Sequence, residues 1–244
     1  GIMCELLSDD LWEEIFGFLR PIDLLSVMRC SSSFHTLATS NATWKKVLLL
    51  TDGVVVPPSC QDAMLEYRSS RTCFNAERAH KRIDFISPHE IGLTAGPKVN
   101  IRAGIELTTV PQRGRLYRFA FHFKGLKYVA SDSPFAIGFA GAEFSTKEAH
   151  GFWERNSGVG YYGNSGVYVL GKKEDITPSE STESDVGMML NMETGEFAFY
   201  RDGVQLYRQT VPGLCDRVTM FVVILRWAAT TATIVPWTYA FHGR

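Results

Sequence analysis

Val186-Gly187-Met188-Met189-Leu190-Asn191-Met192 is followed by Glu193-Thr194-Gly195, then by Glu196-Phe197-Ala198-Phe199-Tyr200, Asp202-Gly203 and Val204-Gln205-Leu206-Tyr207. Runs of strand length separated by short turn sequences describe two hairpins in tandem. Asp202-Gly203 supplies the positive φ angles that a tight hairpin turn needs. Phe197 and Phe199, two residues apart, fall on one face of their strand, which we assign to a core.

Outward from this stretch the same grammar continues. From Ile83 on, short β-type runs and turn residues alternate at intervals of roughly ten residues, the spacing of an antiparallel sandwich. Residues 6–50 read differently. Leu11, Ile15, Phe18 and Leu19 recur at helical spacings behind Ser8, Asp9 and Asp10, which offer a cap and first-turn acids. Pro21 and Asp23 restart the chain for a helix holding Leu24, Leu25, Met28 and Cys30. Beyond Ser31-Ser32-Ser33 come Phe34 and Leu37, a break at Thr39-Ser40-Asn41, and a last helix with Trp44, Val47 and Leu48. The expected fold class is therefore α+β and multidomain: a three-helix module at 4–50, a partly helical connector at 51–83, and an antiparallel β-sandwich at 84–244. In the connector, Val54-Val55-Val56-Pro57-Pro58 opens a segment in which Arg68, Arg71, Arg78, Lys81 and Arg82 read as the solvated face of a helix. A three-helix module of this size buries little apolar surface alone and invites completion by a partner.

Both parts resemble known families. Leu7-Ser8-Asp9-Asp10-Leu11, Ile15-Phe16, Phe18-Leu19, Asp23-Leu24-Leu25, Cys30, Phe34, Leu37 and Trp44 resemble the F-box. The tandem hairpins resemble the SPRY stretch V-G-x-x-L-D-x-x-T-G-x-x-x-F-x-x-N-G, with Asn191 and Asp202 standing where that stretch has Asp and Asn. Phe135 to Ala140 resembles an earlier SPRY strand, and Val218 to Ile234 the last pair of core strands. The SPRY resemblance, over roughly residues 84–242, implies a concanavalin-like sandwich. The F-box resemblance implies docking of a Skp-type adaptor, and through it a cullin, by Leu7, Leu11, Ile15, Phe16, Leu24 and Leu25. Together they imply a substrate receptor of an SCF-type ubiquitin ligase, whose sandwich binds a target protein or peptide and which performs no catalysis itself.

Sandwich domains recognise ligands with loops at one end. By resemblance to SPRY members that accompany a SOCS box, where a short peptide sits in a preformed pocket, Ser133, Arg226 and Trp227 are candidate target contacts. Arg226 replaces an apolar residue of those relatives, so their ligand preference is not expected here. Trp153 reads as a loop contact, Trp227 equally as contact or core, and Trp237 as cover for the sandwich. Tyr161 and Tyr162, in the block Gly160 to Gly163, read as core.

Composition narrows the alternatives. A formal net charge of -1 creates no field to attract phosphate backbones, so nucleic acid is not the expected partner. No apolar run approaches the length of a membrane span, and Gly1-Ile2-Met3 is not followed by a secretory leader pattern. We expect a cytoplasmic protein, with the nucleus as a second compartment. The five cysteines are scattered without a C-x-x-C pair, and the six histidines lack ligand spacing, so neither disulfide framework, metal nor cofactor is expected. Glu174, Asp175, Glu180, Glu183 and Asp185 read as a solvated loop. Glu143, Glu148, His150 and Glu154 form no set of nucleophile, base and orienting group. The competing readings are a lectin-like carbohydrate receptor and a scaffold that binds its adaptor without delivering a target for ubiquitination.

Overall fold

The computed structural model describes residues 8–17, 19, 24, 27, 30–52, 72–94, 102–127, 133–147, 152, 158–163, 166–176, 181–235 and 237. The chain divides into two compact units, Gly1–Arg68 and Ser69–Arg244.

The first unit contains α1 (Asp9–Gly17), α2 (Ser32–Ala38) and α3 (Asn41–Asp52), and Leu24 and Val27 are also helical. Serines cap all three labelled helices. Leu11 N lies 3.4 Å from Ser8 Oγ, Phe34 N donates to Ser31 Oγ at 3.1 Å, and Thr43 N donates to Ser40 Oγ at 3.1 Å. Each cap satisfies a backbone donor that the first helical turn leaves without an intrahelical acceptor. Phe16, Leu24, Ala38, Trp44 and Val47 form the core, with Trp12, Leu19, Val27, Phe34 and Leu37 packed against it. Phe16 and Phe34 meet edge to face at 5.4 Å, and the Trp44 indole donates to Ala38 O at 2.9 Å, so its polar end is satisfied inside this small core.

The second unit is a sandwich of two antiparallel sheets, each with seven strands among the described residues. One runs β1 (Phe74–Ala79), β4 (Ala103–Leu107), β13 (Met220–Leu225), β6 (Phe135–Ala140), β7 (Gly158–Tyr162), β8 (Gly166–Val169), β9 (Lys172–Glu174). The other runs β12 (Val204–Thr210), β11 (Glu196–Arg201), β10 (Ser184–Asn191), β5 (Leu116–Lys124), β14 (Thr231–Val235), β3 (Glu90–Leu93), β2 (Ile83–Ser87). The tandem hairpins pair as their sequence implies, with Met188 opposite Phe199 and Phe199 opposite Tyr207. Asp202 and Gly203 hold φ of 48° and 83°, the paired left-handed conformations of a type I′ turn. The strands β13 and β14, neighbours in sequence, join opposite sheets.

The sandwich starts earlier than residue 84. Phe74–Ala79, expected as part of a helical connector, is a strand paired with β4. Its Arg78 and the following Lys81 and Arg82 gave the segment a solvated, helical look, but Phe74 is buried in the main core and decides the pairing. The expected boundary between module and connector falls inside α3, which runs to Asp52.

Between the sheets Phe119, Phe121, Phe123, Phe135, Phe139, Phe197, Phe199 and Phe221 form an aromatic core. The outer face of the first sheet is buried as well. Ala136, Ala140, Val222 and Ile224 point there, covered by Phe144, Phe152 and Tyr162. Phe152 lies on bare backbone: a Cβ on Gly160 would stand 2.1 Å from its ring, and one on Gly138 2.9 Å. Its N–H donates to Tyr162 Oη at 2.7 Å. Phe152→Ala is expected to destabilise the sandwich by about 3–5 kcal/mol, and Gly160→Ala by about 1–3 kcal/mol. In a double-mutant cycle by urea unfolding the Gly160 effect should shrink once the ring is gone. Additive effects would show that Phe152 does not rest on Gly160.

Candidate binding surfaces on the helical unit and the sandwich

On α1, Leu11 and Ile15 stand four residues apart on one helical face and are 45% and 39% exposed. Phe16, expected beside them as an adaptor contact, is instead 2% exposed in the core of the helical unit, and Leu24 is fully buried there. Both belong to the inner face because the aromatic cluster of Trp12, Phe16 and Phe34 needs a ring at position 16. They support the outer surface rather than forming it. Leu7 and Leu25 lie outside the described residues.

At one end of the sandwich, β13 ends beside the start of β6, with Leu225 opposite Phe135. Arg226 N donates to Pro134 O at 3.1 Å, so the structure brings Ser133, Arg226 and Trp227 together. Their roles differ. Ser133 is buried, and its hydroxyl donates to Phe135 O at 2.7 Å, holding the loop in shape. Arg226 is half-buried, its guanidinium carbon 6.0 Å from the centre of the Trp227 ring. Trp227 is 9% exposed, so most of its surface is buried. Trp153 lies outside the described residues. Trp237 covers the outer face of the second sheet over Ala120, edge to face with Tyr200 at 5.2 Å. Tyr161 and Tyr162 are both buried, in line with the core reading.

Beneath these loops is a polar network that no sequence pattern singled out. Arg201, at the end of β11, is 4% exposed. Its guanidinium donates to Ser184 Oγ at 2.7 Å within its own sheet, and to Gly163 O at 2.7 Å and Tyr161 Oη at 3.3 Å in the other. Asp202 accepts from Ser184 Oγ and from the Asp185 N–H. Asp185, expected in a solvated loop, is buried at the start of β10 and pairs with His122 Nδ1 at 2.7 Å. The chain enters β10 one residue before Asp185, and strand alternation sends Val186 into the core between the sheets and Asp185 to the opposite face, beside His122 of the neighbouring β5. Val204, just past the same turn, is an apolar side chain 61% exposed.

The opposite end of the sandwich holds a groove of about 420 Å³ lined among others by Asn75, Arg78, Glu106, Val110 and Thr219. Burial raises the Glu106 pKa above its ordinary value, with Arg78 and Lys147 opposing. A raised carboxyl pKa means that the folded state holds the proton more tightly than the unfolded one. The associated stability is present at acid pH and is lost as pH rises toward the folded pKa. Glu106→Gln should therefore raise the Tm at pH 7, and the difference should vanish on acidification past the ordinary value of 4.5. A Tm lowered at pH 7 would show that the Arg78 contact outweighs burial. Among the described residues no cluster of His, Cys, Asp or Glu is arranged to hold a metal, and no helix is long and apolar enough to cross a membrane.

An F-box domain model matches residues 4–46. No curated protein matches the chain. Among solved structures, the PSpry domain of TRIM65 is 14% identical over 67% of this chain and 91% of its own, with a TM-score of 0.51. The SPRY domain of human HERC1 is 15% identical over 67% of this chain and 98% of its own, with a TM-score of 0.48. The chain thus carries an F-box followed by a sandwich of the SPRY fold, an architecture that supports a substrate-adaptor role in ubiquitin ligation.

Proposed function

We propose that the chain is the substrate-recognition subunit of a cullin-based ubiquitin ligase, docking a Skp-type adaptor through the helical unit and a target protein or peptide through the sandwich. The observation that carries the first half is the exposed pair Leu11 and Ile15 on α1, within the F-box segment. Two large apolar side chains on one face of a short helix gain most by being covered by a partner. The second half is supported by the loop end of the sandwich, where the network around Arg201 fixes the strand ends that present Arg226, Trp227 and Val204. The sugar-binding alternative is less well supported there, since a ring 9% exposed offers little face for a pyranose to stack on. Catalysis belongs to other subunits, and this chain supplies proximity between target lysines and the conjugating enzyme. Such a receptor works in the cytoplasm and the nucleus.

The test is co-purification of the full chain and of its Leu11→Asp/Ile15→Asp variant from eukaryotic extract, with mass spectrometry of what is bound. Burying two carboxylates against an apolar partner surface should weaken adaptor binding at least about a hundredfold. Adaptor and cullin should disappear from the variant while sandwich-bound proteins remain. Because both side chains are exposed, the unfolding transition of the sandwich should stay in place. Retention of adaptor and cullin by the variant would remove α1 from the interface, and their absence from both samples would refute the receptor reading.

A further inference from the structure

The turn from Arg226 to Thr230 is frustrated in two independent ways. The buried Nε1–H of Trp227 meets no hydrogen-bond acceptor among the described residues. Native proteins rarely leave a buried donor unpaired, because the group has lost its water and gained nothing. Two residues on, Ala229 holds a φ of 72°, a left-handed conformation that a residue with a Cβ disfavours. The strain is held by a close seat: Ala229 O lies only 2.2 Å from where a Gly125 Cβ would be, and Thr230 Oγ1 donates to Gly125 O at 3.3 Å. Strained backbone and unpaired polar groups gather where a protein is poised to take a ligand.

The charge around this turn indicates which ligand. Lys124 and Lys127, both exposed, flank Gly125, and the Arg226 guanidinium lies beside the Trp227 ring. Among the described residues, three acids at this end face other groups. Asp185 pairs with His122, Glu183 approaches the same ring at 3.8 Å, and Asp202 accepts from Ser184 and the Asp185 N–H. The turn therefore combines an indole donor with a surrounding of positive charge.

We propose that this turn recognises an acidic residue of the target peptide, the Trp227 Nε1–H donating to a carboxylate oxygen while Arg226, Lys124 and Lys127 supply the attractive field. The inference rests on the loop end being the target site and adds the chemical class of what binds there. Since the N–H is covered in the free protein, the turn shifts on binding, and relaxation of Ala229 accompanies that shift.

The probe is a displayed library of random dodecapeptides selected on the full chain. Recovered peptides are titrated against wild type, Trp227→Phe, Arg226→Glu, and a chain whose Trp227 is replaced by benzothienylalanine, which keeps the ring shape and removes the N–H. The peptides should share an Asp or Glu, and affinity should fall about tenfold on either Trp227 replacement, the factor expected for one charge-assisted hydrogen bond. The unliganded benzothienylalanine chain should melt no lower than wild type, because only an unpaired donor has been removed. Peptides that bind this chain as tightly as wild type, or that share no carboxylate, would overturn the proposal. If such peptides still lose affinity for Arg226→Glu, the loop end remains the target site. If they respond to none of the replacements, that reading falls too, and recovery of no peptide counts against both.

Discussion

The guanidinium of Arg201 is 4% exposed, and a charge so placed is tolerable only while every donor that faces inward has an acceptor. Those acceptors come from both layers of the sandwich, Ser184 in one and Tyr161 and Gly163 in the other. Sliding one sheet against the other would strand the charge, so the network acts as a register lock at this end. The Asp202-Gly203 turn belongs to the same lock, since Asp202 ties back to Ser184 and Asp185 across the hairpin. The loops that carry Ser133, Arg226 and Trp227 emerge from strand ends held in this way, which explains how irregular backbone at the tip of a sandwich can present a defined surface.

Two-sided burial gives the first sheet a second source of rigidity. Its inner face packs the phenylalanines of the main core, and its outer face is sealed by Phe144 and Phe152 resting on Gly138 and Gly160. Glycine is needed at Gly160 because the Phe152 ring occupies the space a Cβ would take, and at Gly138 because the Val159 carbonyl of the neighbouring strand does. The helical unit follows another logic. Among the described residues its core holds five buried side chains, and α1 divides its apolar residues between that core, through Phe16, and solvent, through Leu11 and Ile15. An apolar surplus on a marginal bundle is an economical way to couple a domain's stability to occupancy of its partner site.

Much of this could be read from the chain alone. The period-two alternation of Phe197 and Phe199, the Asp-Gly turn and the cap offered at Ser8 are local signals, and each produced the element it implies. The less legible features share a physical cause. Asp185 reads as part of a solvated loop and Arg201 falls in no motif, because the partner that buries each is distant in sequence: His122 is 63 residues from Asp185, and Gly163 is 38 from Arg201. The strand at Phe74 was hidden by its neighbouring cations, since its pairing partner, β4, lies beyond two intervening strands.

Local backbone preference and hydrophobic period thus determined, from the sequence by itself, that a capped helical module precedes an antiparallel sandwich, and roughly where its central hairpins turn. Tertiary structure decided that Phe16 and Leu24 face the core of the helical unit, which charges are buried, and that Trp227 is mostly buried with its N–H unpaired among the described residues. These outcomes depend on what other segments bring to the same place, and burial, unlike a turn or a helix cap, is a property that no short stretch of chain possesses alone.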